Sequence, residues 1–238
     1  MKTKHMLGLL ILLMAVAVIP ASGNSITIQL APLVPVGSCT PTAGTTCVGP
    51  HAVAALVPGL GTLTMTAFKP LATNSGLLGV TVDPNVSPNI LYVGVTSGNN
   101  QDEIDLEPPT ETLVLTFSPS VVTTLVLNKL FPPNVRGDSG YETASVQFYA
   151  NNILQGTALI VAATNTGVLS VNLPFGNVVV DELRFGNFSI NSTTNASNSD
   201  YGISSLTVIP IPEPGSLALL GTGLLGLAAR RRSRQTFP

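Results

Sequence analysis

The feature that most constrains the fold is a repeated pattern of short apolar runs, each followed by a turn. In one run, Thr112 to Phe117, the side chains of Leu113, Leu115 and Phe117 alternate and would share one face of a strand. Segments rich in Asn, Gly, Asp and Pro separate the runs and favour turns. The runs are Leu63 to Phe68, Leu77 to Val82, Ile90 to Val95, Thr112 to Phe117, Val121 to Leu130, Ala144 to Tyr149, Ala158 to Ala162, Val168 to Leu173, Val178 to Phe185 and Ile203 to Ile209.

About ten short strands at this spacing predict an all-β body over residues 63–209. An antiparallel sheet with one apolar face must bury that face against another layer, so we expect an antiparallel β-sandwich. We favour a jelly-roll-like arrangement over a closed barrel. No repeat of fixed period is present, which argues against a propeller or a β-helix.

Charge is sparse along the chain: 9% of its residues are charged, and its formal net charge is -2. Neutralising the phosphates of a nucleic acid requires a basic surface, which this composition does not supply. We therefore expect no nucleic-acid partner.

The N-terminus has the three-part layout of a secretory signal peptide. Lys2 and Lys4 precede an apolar stretch from Leu7 to Ile19, and small residues follow Pro20. Ala21 and Gly23 fit the recognition positions of a signal peptidase, which predicts residues 1–23 as the signal and Asn24 as the mature start. The alternative is a retained anchor, but the apolar stretch is shorter than the ~20 residues of a usual spanning helix.

The C-terminal tail, residues 210–238, has a different character from the strands. Prolines at alternate positions in Val208 to Pro214 stop both helices and paired strands. An apolar segment with three glycines, Leu217 to Ala229, comes next, and a basic cluster follows it. By the positive-inside rule the cluster stays on the cytoplasmic side and the body lies outside. The basic residues are Arg230, Arg231, Arg232 and Arg234.

Together, Pro212-Glu213-Pro214, the apolar segment and the arginine cluster resemble the PEP-CTERM sorting domain of bacterial exported proteins. The resemblance covers about the last 25 residues. It implies recognition of Pro212, Glu213 and Pro214 by an exosortase in the inner membrane, cleavage nearby, and delivery to the cell surface or beyond. It also implies an association with exopolysaccharide and biofilm.

The apolar segment of the tail is shorter than a comfortable membrane span of ~20 residues. We therefore interpret it as a transmembrane helix that tethers the chain to the inner membrane only until processing. An ordinary single-pass anchor is the alternative, and it would keep the residues beyond Pro214 in the mature protein.

Residues 24–62 are predicted to form an N-terminal segment that carries both cysteines. Cys39 and Cys47 lie in the exported part, where a local disulfide is expected. A zinc site would need further ligands, and His51 is the one nearby candidate.

An acidic stretch, Asn100 to Glu107, contains a candidate calcium site. Asp102, Glu103 and Asp105 offer the hard oxygen ligands that calcium prefers. The stretch lacks the spacing and central glycine of an EF-hand, and solvated carboxylates on a turn are the favoured alternative. Apart from calcium, no cofactor is expected.

A carbohydrate-binding module is one functional alternative, since such a module needs exposed aromatic rings. The chain has no Trp, and Tyr141 and Tyr201 adjoin turns, so they are the candidate ligand-binding residues. Packing at strand ends is the alternative for both.

A glycan-active hydrolase is a second alternative, because a pair of carboxylates can cleave glycosides without histidine. Glu103, Glu107, Glu142 and Glu182 are available for such a pair. The sequence carries no nucleophile elbow, zinc-protease motif or phosphate loop. We therefore expect a non-catalytic protein of the cell surface or extracellular matrix.

Overall fold

The computed structural model describes residues 24–42, 45–69, 76–82, 91–96, 104–105, 111–133, 135, 141–173, 178–186, 200–211 and 221–225. Residues Asn24–Pro210 form one compact unit. Beyond it, the described residues are Ile211 and a helical stretch at 221–225.

Thirteen strands and one 3₁₀ helix, at Ala31–Leu33, make up the described secondary structure of this unit. All strand pairs are antiparallel, which confirms the all-β prediction. The strands are β1 (Ile26–Gln29), β2 (Cys47–Val48), β3 (Ala52–Val57), β4 (Gly61–Phe68), β5 (Leu77–Val82), β6 (Leu91–Thr96), β7 (Ile104–Asp105), β8 (Thr112–Asn128), β9 (Thr143–Ala150), β10 (Ile153–Val161), β11 (Val168–Asn172), β12 (Val179–Phe185) and β13 (Asp200–Pro210).

The central strand is β8, which belongs to both halves of the sheet. Its first part pairs with β4 on one edge and β12 on the other, and this half runs in the order β3-β4-β8-β12-β9-β10. Its second part pairs with β11 and β13, and β13 in turn pairs with β1, β6 and β7. The sheet continues from β6 through β5 to β2.

Pro119 lies where β8 passes between the two halves. Opposite β12, the register moves from Glu182↔Thr116 to Val180↔Ser120, so β8 contains extra residues at this point. Proline has no N–H to donate to a ladder, and a bulge bends the strand that contains it. The sequence pattern predicted two strands here, but the structure forms one strand with a bulge at the proline.

A single cluster of buried apolar side chains includes residues from both halves. Leu113, Leu115 and Phe117, predicted to share a face, are all buried in it. Val93, Leu125 and Leu206 from the other half belong to the same cluster. This shared core gives the unit a sandwich-like character, while the jelly-roll arrangement stays a prediction.

The sheet includes residues that the sequence pattern placed outside the β-body. Strand β1 pairs with β13, with Ile26 opposite Val208, and β3 pairs with the whole of β4. The predicted N-terminal segment, 24–62, and the predicted β-body, 63–209, thus lie together in one compact unit, Asn24–Pro210. Strand β3 was missed because three of its six residues are alanine, which is not enriched in strands. The four-residue β1 is recognisable mainly from its pairing with β13, which is distant in the sequence.

Gly202 allows β13 to pass close to the ring of Tyr92. A Cβ atom at this position would overlap the ring carbons of Tyr92. Tyr92 is buried, so its ring has little freedom to move aside. Glycine is thus required where β13 pairs with β6.

Candidate functional site

The residues predicted for sorting lie outside the described part of the chain. They are Pro212, Glu213, Pro214, Arg230, Arg231, Arg232 and Arg234, and the predicted signal peptide at 1–23 is outside it as well. The nearest described residue of the folded unit is Pro210, which ends β13 and lies opposite Ser120 of β8. Within the described ranges, no helix has both the length and the apolar character needed to cross a bilayer.

The predicted calcium ligands are only partly described. Asp102 and Glu103 lie outside the described residues, whereas the backbone of Asp105 lies in β7 and faces Asp200 of β13. The described ranges contain no group of three or more His, Cys, Asp or Glu side chains that could hold a metal ion. Calcium binding at Asp105 stays a prediction.

Cys39 and Cys47 are joined by a disulfide, with their Cα atoms 5.7 Å apart. His51 makes contacts of its own: its Nδ1 donates to the carbonyl of Gly76 at 2.8 Å, and its ring packs edge-on against Phe68. The imidazole therefore holds β4 and the start of β5 together.

Tyr201 is not a ligand-binding platform, and the expectation that it is exposed was wrong. It is the second residue of β13, lies opposite Ile104 of β7, and is completely buried. Its hydroxyl donates to the carbonyl of Ser145 at 3.0 Å. Burial raises the pKa of the Tyr201 phenol, and backbone contacts with Ser145 and Gly186 act in the opposite direction. The strand continues through the position that was interpreted as a turn.

Tyr141, in contrast, is 52% exposed. The residue after it is firmly held: the carboxylate of Glu142 accepts a hydrogen bond from the backbone N–H of Phe131 at 2.6 Å. The backbone N–H of Glu142 donates to the Phe131 carbonyl, and its carbonyl accepts from Ala162. An exposed ring beside a fixed backbone is suited to stacking against a flat apolar surface, such as one face of a sugar.

A second group of side chains, not predicted from the sequence, lies on the outer face of β9 and β12. We call Gln147, Tyr149, Glu182 and Arg184 the outer-face cluster. The register places Glu182 opposite Tyr149 and Arg184 opposite Gln147. Residues two apart on a strand point to the same face, so all four side chains project together.

The outer-face cluster is linked by direct contacts. The guanidinium carbon of Arg184 lies 4.2 Å from the centre of the Tyr149 ring, a cation–π distance. The Nε atom of Arg184 lies 2.5 Å from a carboxylate oxygen of Glu182. The Tyr149 hydroxyl donates to the side-chain oxygen of Gln147 at 2.8 Å. The cluster presents donors and acceptors on the sheet surface, but Arg184 covers one face of the ring.

The carboxylates considered for glycoside cleavage have different surroundings. Glu142 is buried and bonded to backbone, whereas Glu182 is paired with Arg184. Glu103 and Glu107 lie outside the described residues. Another carboxylate, Glu111, was not among these candidates; it is buried and lies 2.8 Å from the Nζ atom of Lys69.

Comparison with known families identifies a PEP-CTERM protein-sorting motif at residues 210–232. The match begins at the last residue of β13 and confirms the resemblance predicted from the tail. The motif indicates an exported protein that an exosortase sorts to the cell surface. A search of curated proteins and a search of solved structures each gave no match.

Proposed function

We propose that this chain, which carries a PEP-CTERM sorting motif, is a non-catalytic protein of the cell surface or extracellular matrix that associates with exopolysaccharide in a biofilm. One observation carries the proposal. The compact unit ends at Pro210, and the sorting motif begins at the same residue. Cleavage near Pro212-Glu213-Pro214 would leave every described strand pair of the unit intact.

The route to the surface follows the same division of the chain. A signal peptidase removes residues 1–23, and the apolar segment before Arg230 tethers the chain in the inner membrane. The arginines stay on the cytoplasmic side, so the β-sheet unit lies outside. The exosortase then recognises Pro212, Glu213 and Pro214 and cuts the tether.

The polar groups of the unit support a structural role. In enzymes, reactive side chains often lie in surroundings that leave them without a hydrogen-bond partner or perturb their pKa. In this unit, the side chains of His51 and Glu142 bond to backbone groups. Lys69 pairs with Glu111, and Arg184 pairs with Glu182. These contacts support a structural role for the side chains that make them.

The intact mass of the mature protein tests the sorting route. We expect the surface protein to begin at Asn24 and to end near Pro214, whereas the variant with Ala at 212–214 keeps its tail and stays with the membrane. Ser216→Ala, in the same tail, is the matched control and should be processed normally. A wild-type mature protein that retains Arg230 would show an ordinary anchor and contradict the proposal.

A carbohydrate-binding module is the second candidate, and the outer-face cluster together with Tyr141 favours it. Sugar hydroxyls bond to carboxylate, amide and guanidinium groups, while an exposed ring packs on the apolar face of a sugar. The cluster continues across the sheet to Thr116 and Thr64, which lie in the same row as Glu182. The result is a polar band across four strands.

Polysaccharide pull-down and a glycan array on the full chain distinguish these functions. Saturable binding that Tyr141→Ala or Arg184→Ala abolishes would favour a module. Leu56→Ala is the control, because Leu56 is exposed on β3, away from β9 and β12. Binding that both variants retain would favour a matrix component without a localised site, and hydrolysis of any glycan would overturn the non-catalytic proposal.

A further inference from the structure

Strand β10 forms an edge of the sheet, since β9 is its one partner among the described residues. The orientation of its backbone follows from its end, where the N–H of Ala162 donates to the carbonyl of Glu142 at 2.9 Å. In an antiparallel pair, residues alternate between bonding to the partner and pointing away. Counting back from Ala162, the N–H and C=O groups of Thr157, Leu159 and Val161 point away from β9.

A second contact supports this assignment. Ser145 lies opposite Leu159, and its carbonyl accepts hydrogen bonds from Gly186 and from the Tyr201 hydroxyl. That carbonyl therefore faces β12 and not β10. The open side of β10 thus offers backbone donors and acceptors at three alternate positions.

The exposed edge is apolar and carries no charge. Leu159 and Val161 are each 43% exposed, and Ile153 and Leu154 near the start of the strand are exposed as well. Natural sheets protect their edges with charges, prolines or bulges. Between Thr143 and Val180 the sequence has no Asp, Glu, Lys, Arg or His. The bulge of β10 lies between Leu154 and Gly156 and leaves the stretch from Thr157 to Val161 regular.

We propose that β10 pairs with β10 of a second copy of this chain, in antiparallel orientation, about a twofold axis at Leu159. In this register Leu159 lies opposite the partner's Leu159, and Thr157 lies opposite the partner's Val161. The sheets of the two copies then join into one continuous sheet, and the outer faces of both copies lie on the same side of it. The pairing depends on the sheet alone and does not require the terminal motif.

The absence of charge favours a second copy as the occupant. A twofold axis at Leu159 places that residue opposite its own counterpart and its neighbours close by, and like charges opposite one another would destabilise such a pair. Here the side chains that meet are Thr, Leu and Val, which pair favourably across strands. A partner that extends a sheet contributes main-chain hydrogen bonds, and side chains determine which strand is accepted.

The opposite edge, β3, is the competing surface. All neighbours in the half-sheet from β3 to β10 are antiparallel, so its two edge strands run in opposite directions. A copy could therefore pair its β3 with β10 of the next, which would build an open chain. Strand β3 has six residues against nine in β10, and of its large side chains only Leu56 is strongly exposed. The longer, more apolar edge favours the closed dimer.

The contact is small, so the association should depend on concentration. Nine residues span about 30 Å, and an edge of this length buries less than the ~800 Å² per partner of a standard interface. A monomer–dimer equilibrium is therefore expected in the purified full chain.

Cysteine crosslinking of the full chain in detergent tests the register. Residues that exchange both backbone hydrogen bonds have Cα atoms about 5.5 Å apart, within the range of a disulfide. Leu159→Cys should give a disulfide-linked dimer on mild oxidation, whereas Leu154→Cys, exposed but beyond the bulge, should not. A copy that carries both Leu56→Cys and Leu159→Cys should stop at a dimer; crosslinked species larger than a dimer would show the open chain and overturn the proposal.

Charge reversal at the same position gives an independent test by sedimentation. Leu159→Lys places two like charges on the axis and should weaken the dimer at least tenfold, and so should Leu159→Glu. A mixture of the two variants should restore the dimer to near wild-type strength. Circular dichroism confirms that each variant is folded. Unchanged sedimentation of Leu159→Lys, or a mixture that stays monomeric, would overturn the pairing.

Discussion

The hydroxyl of Tyr201 donates a hydrogen bond to the backbone carbonyl of Ser145, 3.0 Å away, and so links β13 to β9 across the core. These strands belong to different halves of the sheet, and both residues are completely buried. The contact is one of the polar links between the halves. Its contribution can be measured because Phe keeps the ring and removes only the oxygen.

We expect Tyr201→Phe to lower the free energy of unfolding by about 1 kcal/mol, the usual net value of a hydrogen bond. The loss stays modest because the Ser145 carbonyl still accepts from the N–H of Gly186 at 3.2 Å. Chemical denaturation measures the change. Tyr141→Phe is the matched control at an exposed position and should leave stability unaltered, and an equal loss in both variants would refute the assignment.

The buried phenol of Tyr201 also predicts a loss of stability in alkaline solution. Its pKa is raised in the folded chain, so the phenol is neutral in both states below the ordinary value of about 10. Above pH 10 the unfolded chain releases this proton while the folded chain keeps it. Tyr201 should therefore lower the free energy of unfolding by about 1.4 kcal/mol for each further pH unit.

The difference between wild type and Tyr201→Phe isolates this effect from every other titrating group. Denaturation curves between pH 8 and 12 should show a gap in stability that narrows and then reverses as the pH rises. A gap that stays constant over that range would mean that the Tyr201 phenol titrates normally.

Leu115 occupies the centre of the first half-sheet, between Met65 of β4 and Leu183 of β12. All three side chains are fully buried. Leu115→Ala should cost about 2–5 kcal/mol, from lost transfer free energy and the cavity left behind. Val114→Ala, at the preceding residue and on the outer face, should lower the free energy of unfolding by well under half as much. Thermal melts of the two variants would contradict this placement if the order were reversed.

Strands with a clear period of two were predictable from sequence, because alternation places one set of side chains in the core whatever the partner strand is. Leu113, Leu115 and Phe117 illustrate this case. The continuity of β8 was not predictable in the same way. A proline normally interrupts a central strand, and only the registers of the partner strands β12 and β13 show that the ladder resumes beyond Pro119.

The candidate sites were harder to predict because they depend on distant pairings. Tyr201 follows Asp200 in a segment with the composition of a loop, and its burial comes from packing against β9, far away in the sequence. The outer-face cluster joins Tyr149 to Glu182 and Arg184 through a register that neither strand encodes alone. Pro212 and its neighbours were recognisable without any fold, since their signal is local.

The disulfide between Cys39 and Cys47 closes a short loop at the edge of the unit, with Cys47 opposite Val80 of β5. A crosslink that closes a loop of this length should stabilise the fold by about 2–3 kcal/mol through restriction of the unfolded chain. Reduction should therefore lower the melting temperature of the wild type.

The double variant Cys39→Ser with Cys47→Ser should melt near the reduced wild type and should not respond to reductant. Because Cys47 is fully buried, the hydroxyl introduced by Cys47→Ser also carries a desolvation cost. Cys47→Ala in its place would remove that cost. If reduction left the wild-type melting temperature unchanged, the loop would contribute nothing to the stability of the sheet.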